Sequence, residues 1–173
     1  MQDLASYTRQ EQLRDGRSVE IRALHPEDEG DMLTALDHTS AQSLQRRFFV
    51  QKRHFSENER AFFMKVDFEN HVALVACVED AGRSLIVGGG RYIVSAPGEA
   101  EMAFVVIDAW QGRGIGAMLA RHLIALAREA GLTELTAEVL SENAAMRRVF
   151  AKLGFRPAAR LDPHTIQLVL ALS

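Results

Sequence analysis

The run Gln111-Gly112-Arg113-Gly114-Ile115-Gly116-Ala117 has the residue types of an anion site. It follows the apolar stretch Phe104-Val105-Val106-Ile107 and precedes a segment with helical periodicity, so the order is strand, glycine-rich loop, helix. The first turn of a helix leaves about four backbone N–H groups without an internal partner and carries partial positive charge, which stabilises an anion held there. Glycines remove the Cβ atoms that would keep a pyrophosphate away from those N–H groups. Arg113 adds a charge-assisted contact. The plainer reading is a flexible turn before a helix, and three alternating glycines in one loop count against it.

The same residues satisfy a dinucleotide fingerprint, G-x-G-x-x-A from Gly112 to Ala117, with Glu138 about 20 residues further on. Three features oppose a Rossmann domain. Asp108 to Gln111 stand between the strand and the first glycine, where the fingerprint needs an immediate turn. The preceding half shows helices and then hairpins rather than repeated βαβ units. The 57 residues after Gly116 are too few for the rest of such a sheet. No G-x-x-x-x-G-K-[ST] phosphate loop occurs. Other chemistries find less support. The single Cys77 lies in the apolar run Val72 to Val78, which suits a buried, inert thiol and excludes an internal disulfide. The six histidines have no H-x-x-x-H spacing, and no metal site is expected. Gly82-Arg83-Ser84-Leu85-Ile86 departs from the G-x-S-x-G nucleophile pattern at its last residue. Arg46-Arg47-Phe48-Phe49 and Lys52-Arg53-His54-Phe55 mix basic and aromatic residues. Their helical spacing and the net charge of −3 favour a half-buried amphipathic helix over nucleic-acid contact.

The elements that must position the loop can be read along the chain. Residues 1–17 are polar and form an N-terminal lead-in, held loosely, with a turn at Asp15-Gly16; residues 18–173 make one domain. Val19-Glu20-Ile21-Arg22 alternates as a half-buried strand does. Pro26 followed by Glu27, Asp28 and Glu29 starts a helix with acids at its positive end, and Met32, Leu33 and Leu36 form its apolar face. A second helix carries Leu44, Phe48 and Phe49. A third begins at the capping box Ser56-Glu57-Asn58-Glu59 before Ala61-Phe62-Phe63. His71 to Val78 and Ser84 to Val94 are strands joined by a hairpin at Asp80-Ala81-Gly82. Gly88, Gly89 and Gly90 mark a bulge or a close backbone approach in the second of them. Glu99 to Ile107 is a strand. Leu119, Leu123, Leu126, Ala127 and Ala130 give a helix from Gly114 that Gly131 ends. Thr136 to Leu140 is a strand, Asn143 to Leu153 a helix stopped at Gly154, and Thr165 to Leu172 the last strand. The expected fold is α+β with a mixed, mostly antiparallel sheet flanked by helices.

Composition narrows the class. With 173 residues, 47% of them hydrophobic and 25% charged, the chain can bury a sizeable core as one domain. Its slight acidity draws it to neither nucleic acid nor an anionic membrane, so an anionic cofactor must be held by a local site. Met1-Gln2-Asp3-Leu4 is not a basic segment leading into an apolar one, and no apolar run approaches the length of about 20 residues that spans a membrane. A cytoplasmic protein is expected.

The chain resembles the GNAT acetyltransferases. Gln111, Gly114 and Gly116 match the family signature Q/R-x-x-G-x-G/A. Asn143-Ala144-Ala145-Met146-Arg147-Arg148-Val149-Phe150-Ala151-Lys152-Leu153-Gly154-Phe155 is similar to the family's N-x-x-A/M…Y-x-K-x-G-F helix. The resemblance runs from about Val19 to the end of the sequence. Leu13-Arg14-Asp15-Gly16, Ile21-Arg22, Pro26-Glu27-Asp28 and Arg46-Arg47-Phe48-Phe49 resemble one subgroup, the bacterial protein-lysine acetyltransferases. The resemblance implies a GNAT fold with a splayed strand pair near Val106 and Thr136–Leu140, and acetyl-CoA as cosubstrate. It implies direct attack on the thioester by an amine, which is a small molecule or a protein lysine. Phe104, Val105 and Val106 would pair with the pantetheine arm. Gln111, Gly112, Arg113, Gly114, Ile115, Gly116 and Ala117 would hold the pyrophosphate. Asn143, Met146 and Phe150 would contact the cofactor from the other side. Glu101 takes the position of the subgroup's general base, with Glu99 and Glu138 as alternatives. One departure is evident: where many members carry a tyrosine that protonates the leaving thiolate, this chain has Phe150, and Tyr92 is a substitute if it is not simply a buried strand residue. An acyl-CoA-binding regulatory module without catalysis is the alternative function that this departure motivates. The resemblance also allows a homodimer.

Overall fold

The computed structural model describes residues 4–28, 30–31 and 66–172. They contain one eight-stranded sheet: β1 (Thr8–Gln12), β2 (Ser18–Ala23), β3 (His71–Asp80), β4 (Arg83–Ala96), β5 (Glu99–Val106), β6 (Glu134–Leu140), β7 (Arg156–Asp162) and β8 (Thr165–Ala171). Their spatial order is β1-β2-β3-β4-β5-β6-β8-β7. Every neighbouring pair is antiparallel except β5 and β6, which run parallel. A parallel pair needs a crossover, supplied here by α1 (Ile115–Glu129); α2 (Ala144–Lys152) links β6 to β7. The expected mixed, mostly antiparallel sheet is the one observed.

Alternation along β3 explains its two covered faces. Val72, Leu74, Ala76 and Val78 join the main core beneath α1, while Ala73, Val75 and Cys77 pack with Leu24 and Ile86 on the other side. The hairpin to β4 closes through Ala81 and Gly82, both at positive φ (53° and 78°), as a two-residue turn requires. Of the two roles expected of the β4 glycines they take the close approach, and the bulge falls on the residue before them. The register shifts opposite Ala76 and Cys77, which leaves Val87 as the bulged residue. A Cβ on Gly90 would stand 2.9 Å from Leu123 Cδ1, so α1 lies closer to the sheet than a side chain there would allow. Leu119 and Leu123 are fully buried in that contact, each worth about 2 kcal/mol of transfer free energy. Gly131, at φ +84°, follows the last turn of α1.

Three expectations need correction. The polar lead-in is not loose: Thr8–Gln12 pairs with β2, Tyr7 and Leu13 are buried, and the Tyr7 hydroxyl lies 2.6 Å from His122 Nδ1 of α1. Arg156–Asp162 is a strand that the sequence reading passes over. Pro26–Asp28 forms a short 3-10 turn ahead of helical Gly30 and Asp31 rather than the first α-helical turn itself, and Asp28 does more there than face a helix end. It is buried, with both oxygens on the Arg22 guanidinium (2.8 and 2.9 Å) and one accepting the His25 N–H (2.7 Å). The helices read over Met32 to Phe63 lie outside the described residues.

Candidate active site

The parallel pairing of β5 and β6 lasts for only three residue pairs, ending at Glu101–Thr136, although β5 continues to Val106 and β6 to Leu140. On its other side β5 stays paired with β4 as far as Val106. The β6-facing backbone groups of Met102–Val106 thus have no strand partner among the described residues. They border a cavity of about 300 Å³ that β6, α2 and the N-terminus of α1 complete.

At the open end of the wedge, β5 passes into a 3-10 turn, Asp108–Trp110, and then the glycine loop. Gly112 and Gly114 have φ of +77° and +89°, conformations that side chains with a Cβ rarely adopt. Gly114 is the N-cap of α1 and no side chain caps that helix, so its first N–H groups are directed at the cavity without a capping oxygen. Gly116 is required for a different reason: a Cβ would meet the Phe104 ring at 2.8 Å. The Gln111 amide nitrogen donates to the Val106 carbonyl (3.0 Å), which folds the loop back onto the end of β5.

Phe104, Val105, Val106, Gln111, Gly112, Gly114, Ile115, Gly116, Ala117, Asn143, Met146 and Phe150 all line the cavity, and Arg113 does not. Asn143 is buried, and its side-chain oxygen accepts the Met146 N–H (3.2 Å) as the N-cap of α2. Trp110, Met102 and Val139 also line the cavity. Nothing in the sequence pattern marks these three as site residues beyond the adjacency of Trp110 to Gln111. Arg113 turns away: its guanidinium carbon sits 4.7 Å from the Trp110 ring centroid and its Nη1 is 3.5 Å from Asp15 Oδ2.

Two carboxylates share the sheet face opposite α1, as the alternation with buried Met102 and Val139 requires. Glu101 is exposed at the closed end of the wedge, where β5 and β6 last pair. Glu138 is half-buried and lines the cavity. Burial pushes the Glu138 carboxyl up from its ordinary range, and the charges of Glu101 and Asp162 push it further. Phe150 lies against Phe104 (centroids 5.4 Å) and Phe155 (5.0 Å). Tyr92 does not reach this cavity. It is fully buried in the core, its hydroxyl has no hydrogen-bond partner among the described residues, and burial drives its pKa to about 12. Tyr92 is therefore a strand core residue and not a stand-in for the missing acid. Among the described residues no three His, Cys, Asp or Glu side chains form a metal-binding group, and no helix is long and apolar enough to cross a membrane.

The acetyltransferase (GNAT) family matches residues 37–155. An acetyltransferase of Pseudomonas aeruginosa is 34% identical over 146 residues, 84% of this chain and 78% of that protein. The chain belongs to the GNAT family. It is accordingly an N-acetyltransferase with acetyl-CoA as its donor. Acetyltransferase Pat of Mycolicibacterium smegmatis is 30% identical over 145 residues, 83% of this chain, and the chain spans 43% of Pat's length. The crystal structure of the GNAT domain of PAT from S. lividans superposes with a TM-score of 0.87 at 30% identity, covering 95% of this chain and 97% of that one. The structure of yncA from Salmonella typhimurium, with its cofactor acetyl-CoA, shares the fold (TM-score 0.73, 21% identity, 90% of this chain and 94% of that one).

Proposed function

We propose that this GNAT protein moves the acetyl group of acetyl-CoA directly onto a primary amine, and that the amine is a protein lysine. The carrying observation is the unpaired wedge of β5 and β6, with the glycine loop at its open end and Glu101 at its closed end. Met102 to Val106 extend for about 16 Å at strand rise, a length that an extended pantetheine arm can follow. The backbone of Phe104, Val105 and Val106 would pair with the arm, and one N–H would polarise the thioester carbonyl. The pyrophosphate would rest on Gln111–Ala117. Asn143, with its oxygen committed to capping α2, would offer its amide nitrogen to the arm, and Met146 and Phe150 would cover it. The lysine is supported by the relatives named Pat and by the N-terminal motifs of the lysine-acetylating subgroup.

A lysine ammonium has a pKa of about 10.4 and must lose a proton before it attacks. Glu101 is the proposed acceptor of that proton because it stands where the arm would end and faces open solvent. The amine nitrogen then bonds to the acetyl carbon, the C–S bond breaks, and the surplus proton left on the nitrogen passes to solvent water. Phe150 has no proton to give, so coenzyme A departs as the thiolate, tolerable for a group whose pKa is near that of a cysteine thiol, about 8.5. A non-catalytic acyl-CoA-binding module is the second reading, favoured by Phe150 alone. Thiol release from acetyl-CoA in the presence of lysine-containing peptides separates the two. Catalysis by Glu101 predicts that Glu101→Gln lowers turnover at least about tenfold while acetyl-CoA binding stays within about twofold. Equal turnover in wild type and variant removes Glu101 from the mechanism. A larger loss in Glu138→Gln moves the role to Glu138. Binding of acetyl-CoA by the wild type with no acetylation of any amine favours the module.

A further inference from the structure

The turn between β1 and β2 stands beside the glycine loop, although 98 residues separate Asp15 from Arg113. It is a closed turn: Leu13 N–H donates to the Arg17 carbonyl (2.8 Å), Gly16 N–H to the Leu13 carbonyl (3.0 Å), and Arg17 N–H to Asp15 Oδ1 (2.9 Å), over a buried Leu13. Its Arg17 guanidinium carbon lies 5.3 Å from the centroid of the Trp110 ring, the same ring that Arg113 covers at 4.7 Å. Trp110 is 8% exposed and is itself a wall of the cavity next to Gln111 and Gly112. Two guanidinium groups are thereby held over one indole at the mouth of the phosphate loop. Arg113 already faces one anion, the Asp15 carboxylate, at 3.5 Å in a pair whose side chains are 43% and 49% exposed.

We propose that this turn is the outer wall of the donor's phosphate site: Arg17 binds a phosphate of acetyl-CoA together with Arg113, and Asp15 is the internal anion that the phosphate displaces. The proposal rests on the reading of the cavity as the acetyl-CoA site and adds an element that the family signature does not contain. The physical reasons are local. The chain has a net charge of −3, so attraction for a polyanion must come from placed cations. A long, exposed ion pair contributes little, whereas a phosphate offers several charged oxygens to the planar guanidinium. Trp110 restricts both side chains by cation–π contact, so less freedom is lost when they close on a ligand.

The test is titration calorimetry of the full chain with acetyl-CoA and with acetyl-pantetheine, which lacks every phosphate. Arg17→Gln is expected to weaken acetyl-CoA binding about five- to thirtyfold, to reduce its salt dependence, and to leave acetyl-pantetheine binding unchanged. Asp15→Asn, which removes the competing anion, is expected to tighten acetyl-CoA binding. Equal affinity of wild type and Arg17→Gln for acetyl-CoA overturns the proposal. So does an equal loss for both ligands, since that would be a structural effect of the turn. If the wild type binds neither ligand, the assignment of the cavity itself fails, and the proposal with it.

Discussion

Glu138 shows how one side chain can link function to stability. Its carboxyl is raised by burial and then by Glu101 and Asp162, so the folded protein holds this proton more tightly than the unfolded chain, where a glutamate titrates near 4.3. Between that value and the raised one, folding takes up a proton, and stability falls as pH rises through the window. Above it the full penalty of the charge persists. Glu138→Gln should therefore melt above wild type at pH 7, and the gap should close as pH falls into the acidic carboxylate range; thermal melts across pH measure it. At this scale the site was partly legible. Glycines announce themselves because few other reasons put three of them at alternate positions before a helix. Trp110 gave no such signal, because a tryptophan suits a core as well as a pocket, and only its place over the loop separates the two. Arg113 was legible as a cation near the loop but not in its orientation, which depends on Asp15 far away in sequence.

Among the elements, α1 and β5 meet closely where Gly116 lies against Phe104. Gly116→Ala would force its Cβ to within 2.8 Å of the ring, an overpacking that costs about 1–3 kcal/mol and moves Phe104 into the cavity. Urea unfolding should show that loss, and acetyl-CoA affinity should fall with it. Open surroundings at Gly131 make it a useful control, since alanine there meets only the backbone cost of positive φ. The strands that the sequence reading missed, β1 and β7, are the two edges of the sheet. Their residues, Thr-Arg-Gln-Glu-Gln and Arg-Pro-Ala-Ala-Arg-Leu-Asp, lack the apolar alternation that a covered face imposes, and charges with a proline suit a protected edge. Interior strands such as β3 were legible because burial on both faces writes a continuous apolar run.

For the whole molecule, His122 fastens the N-terminal edge to the body. The Tyr7 hydroxyl lies 2.6 Å from its Nδ1 and the Glu11 carboxylate 2.9 Å from its Nε2. His122→Ala leaves both partners unsatisfied, and a loss of about 1–2 kcal/mol is expected, a fall of roughly 2–8 °C in Tm for a chain of this size. A different consequence follows from the splayed strands. A sheet that omits part of its hydrogen bonding where the donor's arm is proposed to lie would have its folding equilibrium linked to a metabolite. Saturation a hundredfold above Kd adds about 2.7 kcal/mol to the native state, and proteases that cleave opened molecules then find about a hundredfold fewer of them. The abundance of such a chain would follow the supply of acetyl-CoA before a single acetyl group is transferred.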